Sequence, residues 1–415
     1  MDKMLKVGLW VIWAGLLFFG SIGVYQRFSE GHALANYGSY VPWGLWVSAY
    51  IYFIGLSAGA FLLSSMIYVF GVEPLRKIGR LSLFVSAITL PIALLCIFFD
   101  LGQMWRFYEI YTRPNWSSMM AWMVWLYTAY IILVLAELWF DMRCDLAKAR
   151  EQGGLFAPLY ALLSLGWKCP QKEEELQICH RQSLKILKVL GFIGIPLAIA
   201  FHGGVGALFA TLSAKPIWHT GLFPILFLTG ALLSGGALIL AISSWMEYHS
   251  GIKSSETTRM LGKIVLGLLL LDLLLEFSEF SIPMWYGVGG EFETLYGLLF
   301  GEFWFMFWIF HILLGSAIPI VLLAFLPNSC LAMCFAGALT ATTFLAVRLS
   351  IVIPAQLTPA LSGLKEAYRD HRLSFEYIPS LMEWSVVAFV VAIGIGLFYL
   401  GERLLPLVKS PSKNA

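Results

Sequence analysis

Charged residues are scarce in this chain of 415 residues: Asp, Glu, Lys and Arg make up 13% of it. A soluble domain has about 25%, so a soluble globular fold is excluded. Hydrophobic residues make up 59%, and a bilayer-spanning helix needs roughly 20 mostly apolar residues. Because helices satisfy their own backbone hydrogen bonds in lipid, the sequence predicts an all-α polytopic membrane protein, a single integral membrane domain over 1–415. We predict about ten transmembrane helices, at 7–25, 42–71, 80–100, 117–141, 184–211, 221–246, 260–281, 296–325, 329–352 and 381–404.

Motifs of metal, nucleotide and nucleic-acid chemistry are missing as well. The chain has no H-E-x-x-H, no CxxC, no GxGxxG after a strand and no Walker loop, and no basic patch interleaved with aromatic residues. Its six cysteines are scattered, and only Cys330 and Cys334 lie close in sequence. No second pair completes a metal site, so we expect all six to be structural. We predict no metal, no iron–sulfur cluster and no nucleic-acid partner for this chain.

The basic residues predict the orientation of the chain in the membrane. The first apolar run ends at Tyr25-Gln26-Arg27 without the A-x-A-like site of a signal peptide, so we expect it to remain as a helix. With the N-terminus inside, 19 of the 27 Lys and Arg residues fall on the inner side. Cytoplasmic connections carry the excess of Lys and Arg. Both termini and the long connection 142–183 are therefore predicted to be cytoplasmic, and the connection 353–380 to lie outside.

A weak internal repeat suggests how the helices are grouped. "PWGLWVSAYIYFIGLSAGAF" opens the second span and "TGLFPILFLTGALLSGGAL" opens the sixth. Both carry small residues near mid-membrane, where such residues let helices approach closely. We interpret this as two four-helix bundles, helices 2–5 (about 42–211) and helices 6–9 (about 221–352), with helices 1 and 10 peripheral.

Three acids interrupt the apolar seventh span, "LLLLDLLLEFSEF". Asp272, Glu276 and Glu279 are offset by four and seven residues, which places them on one helix face. A charge at the helix centre costs at least ~2.5–3.5 kcal/mol in hydrocarbon, so such residues face a cavity or one another. We interpret them, with Glu302 and His311 of the eighth span, as a proton relay. The simpler alternatives are an interfacial Glu279 and a structural pairing of Asp272 with an arginine.

Asp100 and His202 are the candidate catalytic residues of the outer half; the simpler alternatives are a helix terminator for Asp100 and a cap on a carbonyl of a broken helix for His202. Quinone chemistry moves two electrons and two protons, and needs aromatic walls, a donor such as histidine and a carboxylate. Ten of the 16 tryptophans lie in or near the outer leaflet, which indicates an aromatic-lined pocket or a docking surface, or only an interfacial belt. A b-type haem needs two histidines at similar depth, and His202 and His311 differ by about 6 Å along the normal. We therefore expect a partner to supply the electron carrier.

In their order and spacing, several segments resemble the NrfD/polysulfide-reductase membrane subunits, in particular the ten-helix branch with the hydrogenase-2 and DsrP-type subunits. The resemblance covers nearly the whole chain. The segments are 42–61, "FDLGQMWRF" (99–107), "WSSMMAWMVWLYTAY" (116–130), "HGGVGALFA" with "KPIWHTGLFPILFL" (202–228), "LLEFSEF" (274–280) and "VRLSIVIPAQ…EYIPSLMEW" (347–384).

The resemblance implies a haem-free subunit of a bacterial cytoplasmic (inner) membrane that interacts with quinone (menaquinone or ubiquinone) and with membrane lipids. It further implies a respiratory complex in which an extracytoplasmic iron–sulfur protein or multihaem cytochrome c exchanges electrons with the chain. Asp100 and His202 match polar positions of the quinone pocket. Gln103-Met104-Trp105 stands where many relatives have Arg-Pro, so the role of Arg106 stays open, as does that of His219 in a variable segment. The residues expected to contact quinone are Trp43, Trp46, Arg106, Trp122 and His219.

Two alternative functions remain. The first is a proton- or ion-coupled transporter built on the two repeats, with the acids as its permeation path. A transporter should continue its polar residues to the inner face, where Glu137 is the main candidate. The second is a membrane cytochrome b.

Overall fold

The computed structural model describes residues 3–170, 172–251, 254–361, 363–367, 370 and 372–407. These residues form helices and connections, and no strand occurs among them. The predicted all-α fold is confirmed. The long helices are α1 (Lys3–Ser29), α2 (Leu45–Phe70), α3 (Gly79–Asp100), α4 (Met119–Glu151), α5 (Glu173–Ala210), α6 (Phe223–His249), α7 (Glu256–Tyr286), α8 (Met306–Phe325), α9 (Cys330–Leu357) and α10 (Leu381–Leu404).

Nine helices of the described part are long and apolar enough to cross a membrane. The remaining predicted span, 260–281, lies in α7, whose acids and Lys263 make it too charged to join that set. At 1.5 Å per residue its 31 residues still extend about 46 Å. Helices α4 and α5 run past the predicted spans, so the inner connection predicted at 142–183 shortens to 152–172. We call outer the side with the connections 101–118, 211–222 and 358–380, and inner the side with 152–172.

Helix α2 lies at the centre of the molecule and packs against α3, α5 and α6. Glycines set the distance between α2 and α6. A Cβ on Gly59 would lie 2.0 Å from the carbonyl oxygen of Ala231, and one on Gly235 would lie 2.6 Å from the amide nitrogen of Ala60. The small residues noticed in the sequence therefore allow the two backbones to touch.

The first and last helices lie at the edge. Helix α1 packs along α10, and α10 packs on α3. In the most apolar stretch of α1, only 11% of the residues are buried. That these two helices are peripheral and that the other eight form two bundles both remain our interpretation. The chain ends at 1–2 and 408–415 lie outside the described residues, so their predicted side is not described.

Segments from both ends of the chain meet on the outer side. Asn36 donates from its side-chain amide to the carbonyl of Ile378 at 2.7 Å, and Ser39 donates from its backbone to that of Arg372 at 2.7 Å. Helix α10 begins with a capping box in which Ser380 and Glu383 bond each other's backbone amides. These contacts hold the 30–44 segment over the outer ends of α2 and α3.

Candidate functional site

His202 lies where α5 meets α2, α6 and α9. It is fully buried beside Phe227, and its interaction with the Phe227 backbone falls short of normal hydrogen-bond geometry, so neither ring nitrogen makes a well-formed hydrogen bond within the described ranges. Its Cε1, Nη2 of Arg348 and Oγ of Ser234 each lie 3.7 Å from the position that a Cβ would take on Gly55. Buried polar groups are normally paired, so an imidazole without a well-formed hydrogen bond is a candidate for binding a ligand.

Arg348 is the cation beside this histidine. Only 1% of it is exposed, and its guanidinium lies over the rings of Phe227 and Phe344 at 4.6 and 5.0 Å. Its hydrogen bond to the carbonyl of Phe227 is long at 3.5 Å. Among the residues that the structure describes, no carboxylate forms an ion pair with it within 4.0 Å. An arginine inside an apolar helix can be recognised in the sequence as unusual. Which residues surround it can be seen only in the folded structure.

The acids of α7 line one cavity together with His311 and Arg348. Thr229 donates to Asp272 at 3.3 Å, and His311 Nε2 lies 2.7 Å from Glu276 Oε2. Glu279 also faces the cavity, so the predicted common face is confirmed. The cavity measures about 70 Å³, enough for a few water molecules and well below the volume of ligand pockets, about 300 Å³ or more. The arrangement suits proton transfer rather than ring binding.

The local geometry of α8 places His311 in this column. Residues Met306–Ala317 form a π-helix, a wider turn that occurs frequently at functional sites, and Ser316 donates to the His311 carbonyl at 2.9 Å. Glu302 is exposed in the turn before α8 and does not line the cavity. Its role in the relay stays a prediction without a contact to support it.

Asp100 belongs to a different network at the outer end of α3. Its partners there are the hydroxyl of Tyr37 and the charge of Arg27, and Arg27 donates to the carbonyls of Phe99 and Leu101 at 2.8 and 2.7 Å. Burial raises the pKa of Tyr37 well above its usual value, and the charge of Asp100 adds to this. Tyr37 therefore stays a neutral donor. Within the described residues no hydrogen bond or ion pair joins Asp100 to His202.

The predicted quinone contacts are scattered over the outer side. Trp43 stacks on Trp218 at 5.9 Å, and Trp46, fully buried, donates to the carbonyl of Glu383 at 3.0 Å. The other three are exposed and make local contacts: Arg106 pairs with Glu109, Trp122 donates to the Trp116 carbonyl, and His219 Nδ1 lies 2.6 Å from the Ala210 carbonyl. For these three the geometry shows helix-end and surface contacts.

A second group of polar residues lies in α2, α3 and α4. Glu137 was noted in the sequence, but the contacts of Ser57, Ser86 and Tyr130 were not predicted. Ser57 and Ser86 hydroxyls lie 2.9 Å apart, and Tyr130 donates to the carbonyl of Ser57 at 3.3 Å. Two helical turns towards the inner side, Glu137 is fully buried, with neither carboxylate oxygen bonded within the described ranges. Serines and tyrosines are common in helices, so only packing could identify this group.

Comparison with known proteins gives the family of the chain. The model of the family described as "Polysulphide reductase, NrfD" matches residues 34–360. The chain belongs to the NrfD family. Its relatives include a selenate reductase subunit of Mesobacillus selenatarsenatis, 39% identical over 409 residues, which are 97% of this chain and 95% of the relative.

Two further relatives of this NrfD-family chain have names that mention quinones. One is the Hdr-like menaquinol oxidoreductase integral membrane subunit of Archaeoglobus fulgidus, 26% identical over 89% of this chain and 85% of the relative. The other is the menaquinone reductase integral membrane subunit of Nitratidesulfovibrio vulgaris, 22% identical over 97% of this chain and 92% of the relative. The family predicted from the sequence motifs is confirmed.

Proposed function

We propose that this chain is the quinone-interacting membrane subunit of a respiratory redox complex. The observation that carries the proposal is His202, a buried imidazole whose ring nitrogens make no well-formed hydrogen bond to the described residues and which lies near the cavity of the α7 acids. The names of the menaquinol oxidoreductase and menaquinone reductase relatives support the choice of substrate. The substrate is a membrane quinone or quinol whose headgroup binds in the outer half of the first bundle.

His202 has the chemistry that the headgroup needs. An imidazole can donate to a quinone carbonyl and accept from a quinol hydroxyl near neutral pH. Phe201, at 5.2 Å from Tyr127 and 5.4 Å from Tyr130, supplies an aromatic wall on the first-bundle side. Oxidation of one quinol releases two electrons and two protons, and reduction of a quinone runs in reverse. Asp100, at the outer end of α3, takes up or releases protons on the outer side.

Two polar routes are available for proton movement near this site. Arg348 lies between His202 and the cavity of Asp272, Glu276 and Glu279. The group of polar residues from Glu137 to Ser57 approaches from the inner side, because Glu137 stands seven residues, about 10 Å, from Tyr130 on α4. We propose that the α7 acids and His311 move protons without contacting the headgroup.

The chain exchanges these electrons with an iron–sulfur protein or multihaem cytochrome c on the outer side. The outer surface offers exposed tryptophans, with Trp105 at 70% and Trp285 at 91% exposure, and aromatic residues are enriched in protein interfaces. The predicted docking connection 353–380 includes residues 362, 368, 369 and 371, which lie outside the described residues. A cofactor-bearing companion should therefore copurify in mild detergent, and a chain that runs alone from its native membrane would contradict this part.

Substitution of His202 tests the proposal. We expect His202→Ala to lower quinone-linked electron transfer at least about tenfold, because losing a proton-transfer group costs ~10²–10⁴-fold. Assembly with partners, measured by copurification, should survive. The control is His249→Ala, since His249 is exposed at the inner end of α6 and its contacts among the described residues are the Trp245 carbonyl and neighbouring rings. Normal turnover in an assembled His202→Ala complex would refute the assignment.

A further inference from the structure

Three cysteines that are distant in sequence meet at the inner ends of α4 and α5. Cys144 lies on α4, Cys179 on α5 and Cys169 in the connection between them, and all three are free and buried. The sulfur atoms of Cys144 and Cys179 are 3.4 Å apart, and Cys169 hydrogen-bonds with Cys144. Together with Ala147 they form a small core of their own. This convergence was not expected from scattered cysteines.

A buried guanidinium contacts this cluster. Arg143 is 8% exposed, and its Nη2 lies 3.0 Å from Ser183 Oγ and 3.8 Å from Cys179 Sγ. The described residues provide no carboxylate in ion-pair contact with it, and the aromatic rings around it, Trp167 at 4.9 Å among them, are neutral. A buried cation without a counter-ion is costly. The Cys179 sulfur lies next to this cation, so the guanidinium can stabilise negative charge that develops on that sulfur during a reaction.

Contact geometry separates the roles of the three cysteines. Burial raises the pKa of both the Cys144 and the Cys169 thiols, so the pKa does not distinguish these two. The Cys179 sulfur contacts both Arg143 and the Cys144 sulfur, whereas Cys169 hydrogen-bonds with Cys144. We therefore assign Cys179 as the nucleophile, Cys144 as the thiol that reacts second and Cys169 as a neighbour that does not react.

We propose that Cys144 and Cys179 form a redox-active dithiol, which a small-molecule disulfide such as oxidised glutathione converts into an intramolecular disulfide. The Cys179 thiolate attacks one sulfur of glutathione disulfide, whose S–S bond breaks and releases a glutathione thiolate. Cys144 loses its proton to that thiolate and attacks the Cys179 sulfur, displacing the second glutathione. The two protein sulfurs are oxidised by two electrons, and one disulfide is reduced to two glutathiones. The first takes the proton of Cys144, and the second leaves as a thiolate that takes from water the proton that Cys179 released on forming its thiolate.

The position of the pair decides what its oxidation does. The new bond joins α4 to α5 at their inner ends, which are otherwise linked by the 152–172 connection with one short helix, Ala157–Leu163. Reagents reach the sulfurs when this connection opens locally. On the predicted cytoplasmic side glutathione keeps thiols reduced, so the bond forms when that pool becomes oxidised. It then ties together two helices of the first bundle.

Thiol counting in the purified full-length protein tests this. After incubation with glutathione mixtures of increasing oxidation, we expect alkylation to lose two of the six cysteines, and peptide mapping to find Cys144 linked to Cys179. Cys96→Ser, at another buried cysteine, should change nothing, and Cys144→Ser should abolish the loss. Arg143→Gln should slow disulfide formation about tenfold, whereas Lys148→Gln should leave the rate within about twofold.

Three results would overturn the proposal. They are full alkylation of six cysteines under oxidising mixtures, a cross-link that excludes Cys144 or Cys179, and copurifying zinc that is lost in Cys169→Ser. The first two use the unmodified sequence, so they hold even if the Cys144→Ser protein fails to fold.

Discussion

At the scale of single residues, a substitution of Asp272 can test whether proton movement and quinone binding depend on different residues. Its carboxylate lies in the small cavity and accepts from Thr229 at 3.3 Å, away from His202. We expect Asp272→Asn to leave quinone affinity nearly unchanged and to lower turnover or proton yield about tenfold or more, since it removes a proton-transfer group. Inhibitor binding and proton release, measured on the assembled complex, check this.

The control for Asp272 lies on the same helix. Glu256→Gln changes an exposed acid in the first turn of α7, so turnover and affinity should both stay normal. A large loss of quinone affinity in Asp272→Asn would move the headgroup into the second bundle.

Isolated residues were predictable where their context was unusual. Acids within leucine-rich sequence indicated a cavity, and Asp272, Glu276 and Glu279 do line one. The pairing of His311 with Glu276 and the place of Arg348 beside His202 could not be predicted, because both depend on how α7, α8 and α9 pack. The neighbours of Asp100, Tyr37 and Arg27, could not be predicted from the sequence either, and its joint role with His202 stays a prediction.

The crossing of α2 and α6 gives a prediction at the scale of elements. A Cβ on Gly59 would press into the Ala231 carbonyl, which is backbone and cannot turn aside. We expect Gly59→Ala to destabilise the fold by about 1–3 kcal/mol, as overpacking does, with a lower thermal midpoint in detergent.

Gly267→Ala is the matched control for this substitution. Nothing lies within 4 Å of its added methyl group on α7, and alanine is favoured over glycine in a helix by roughly 0.5–1 kcal/mol. Its midpoint should stay equal or rise. Equal midpoints for both variants would show that α2 and α6 do not touch at Gly59.

Apolar length predicted the helices themselves, but not their ends or irregularities. Helices α4 and α5 extend through polar residues beyond the membrane length, since hydropathy marks only the part that suits lipid. The π-helix Met306–Ala317 has no sequence signature in the composition of α8. Its extra residue per turn depends on neighbours such as Thr340, which donates to the Gly315 carbonyl at 3.0 Å.

The orientation of the whole molecule can be tested with single introduced cysteines. Leu155, in the connection 152–172 on the inner side, is 88% exposed. Trp285, at the outer end of α7, is 91% exposed. Because most basic residues lie on the side of Leu155, we expect Trp285→Cys to react with an impermeant maleimide on intact cells and Leu155→Cys to react only after lysis. The reverse pattern would place both termini outside.

The contact between α2 and α6 has a consequence for the permeability of the molecule. A transporter of the repeat type alternates access by rocking one bundle against the other, and such motion needs a seam that can shear. Here Gly59 and Gly235 bring the backbones of α2 and α6 into direct contact at the centre. No side chains separate the two helices at this point, so we expect little room for one helix to move past the other. We expect no passage for solutes at this contact, and proton movement along the polar residues stays a proposal.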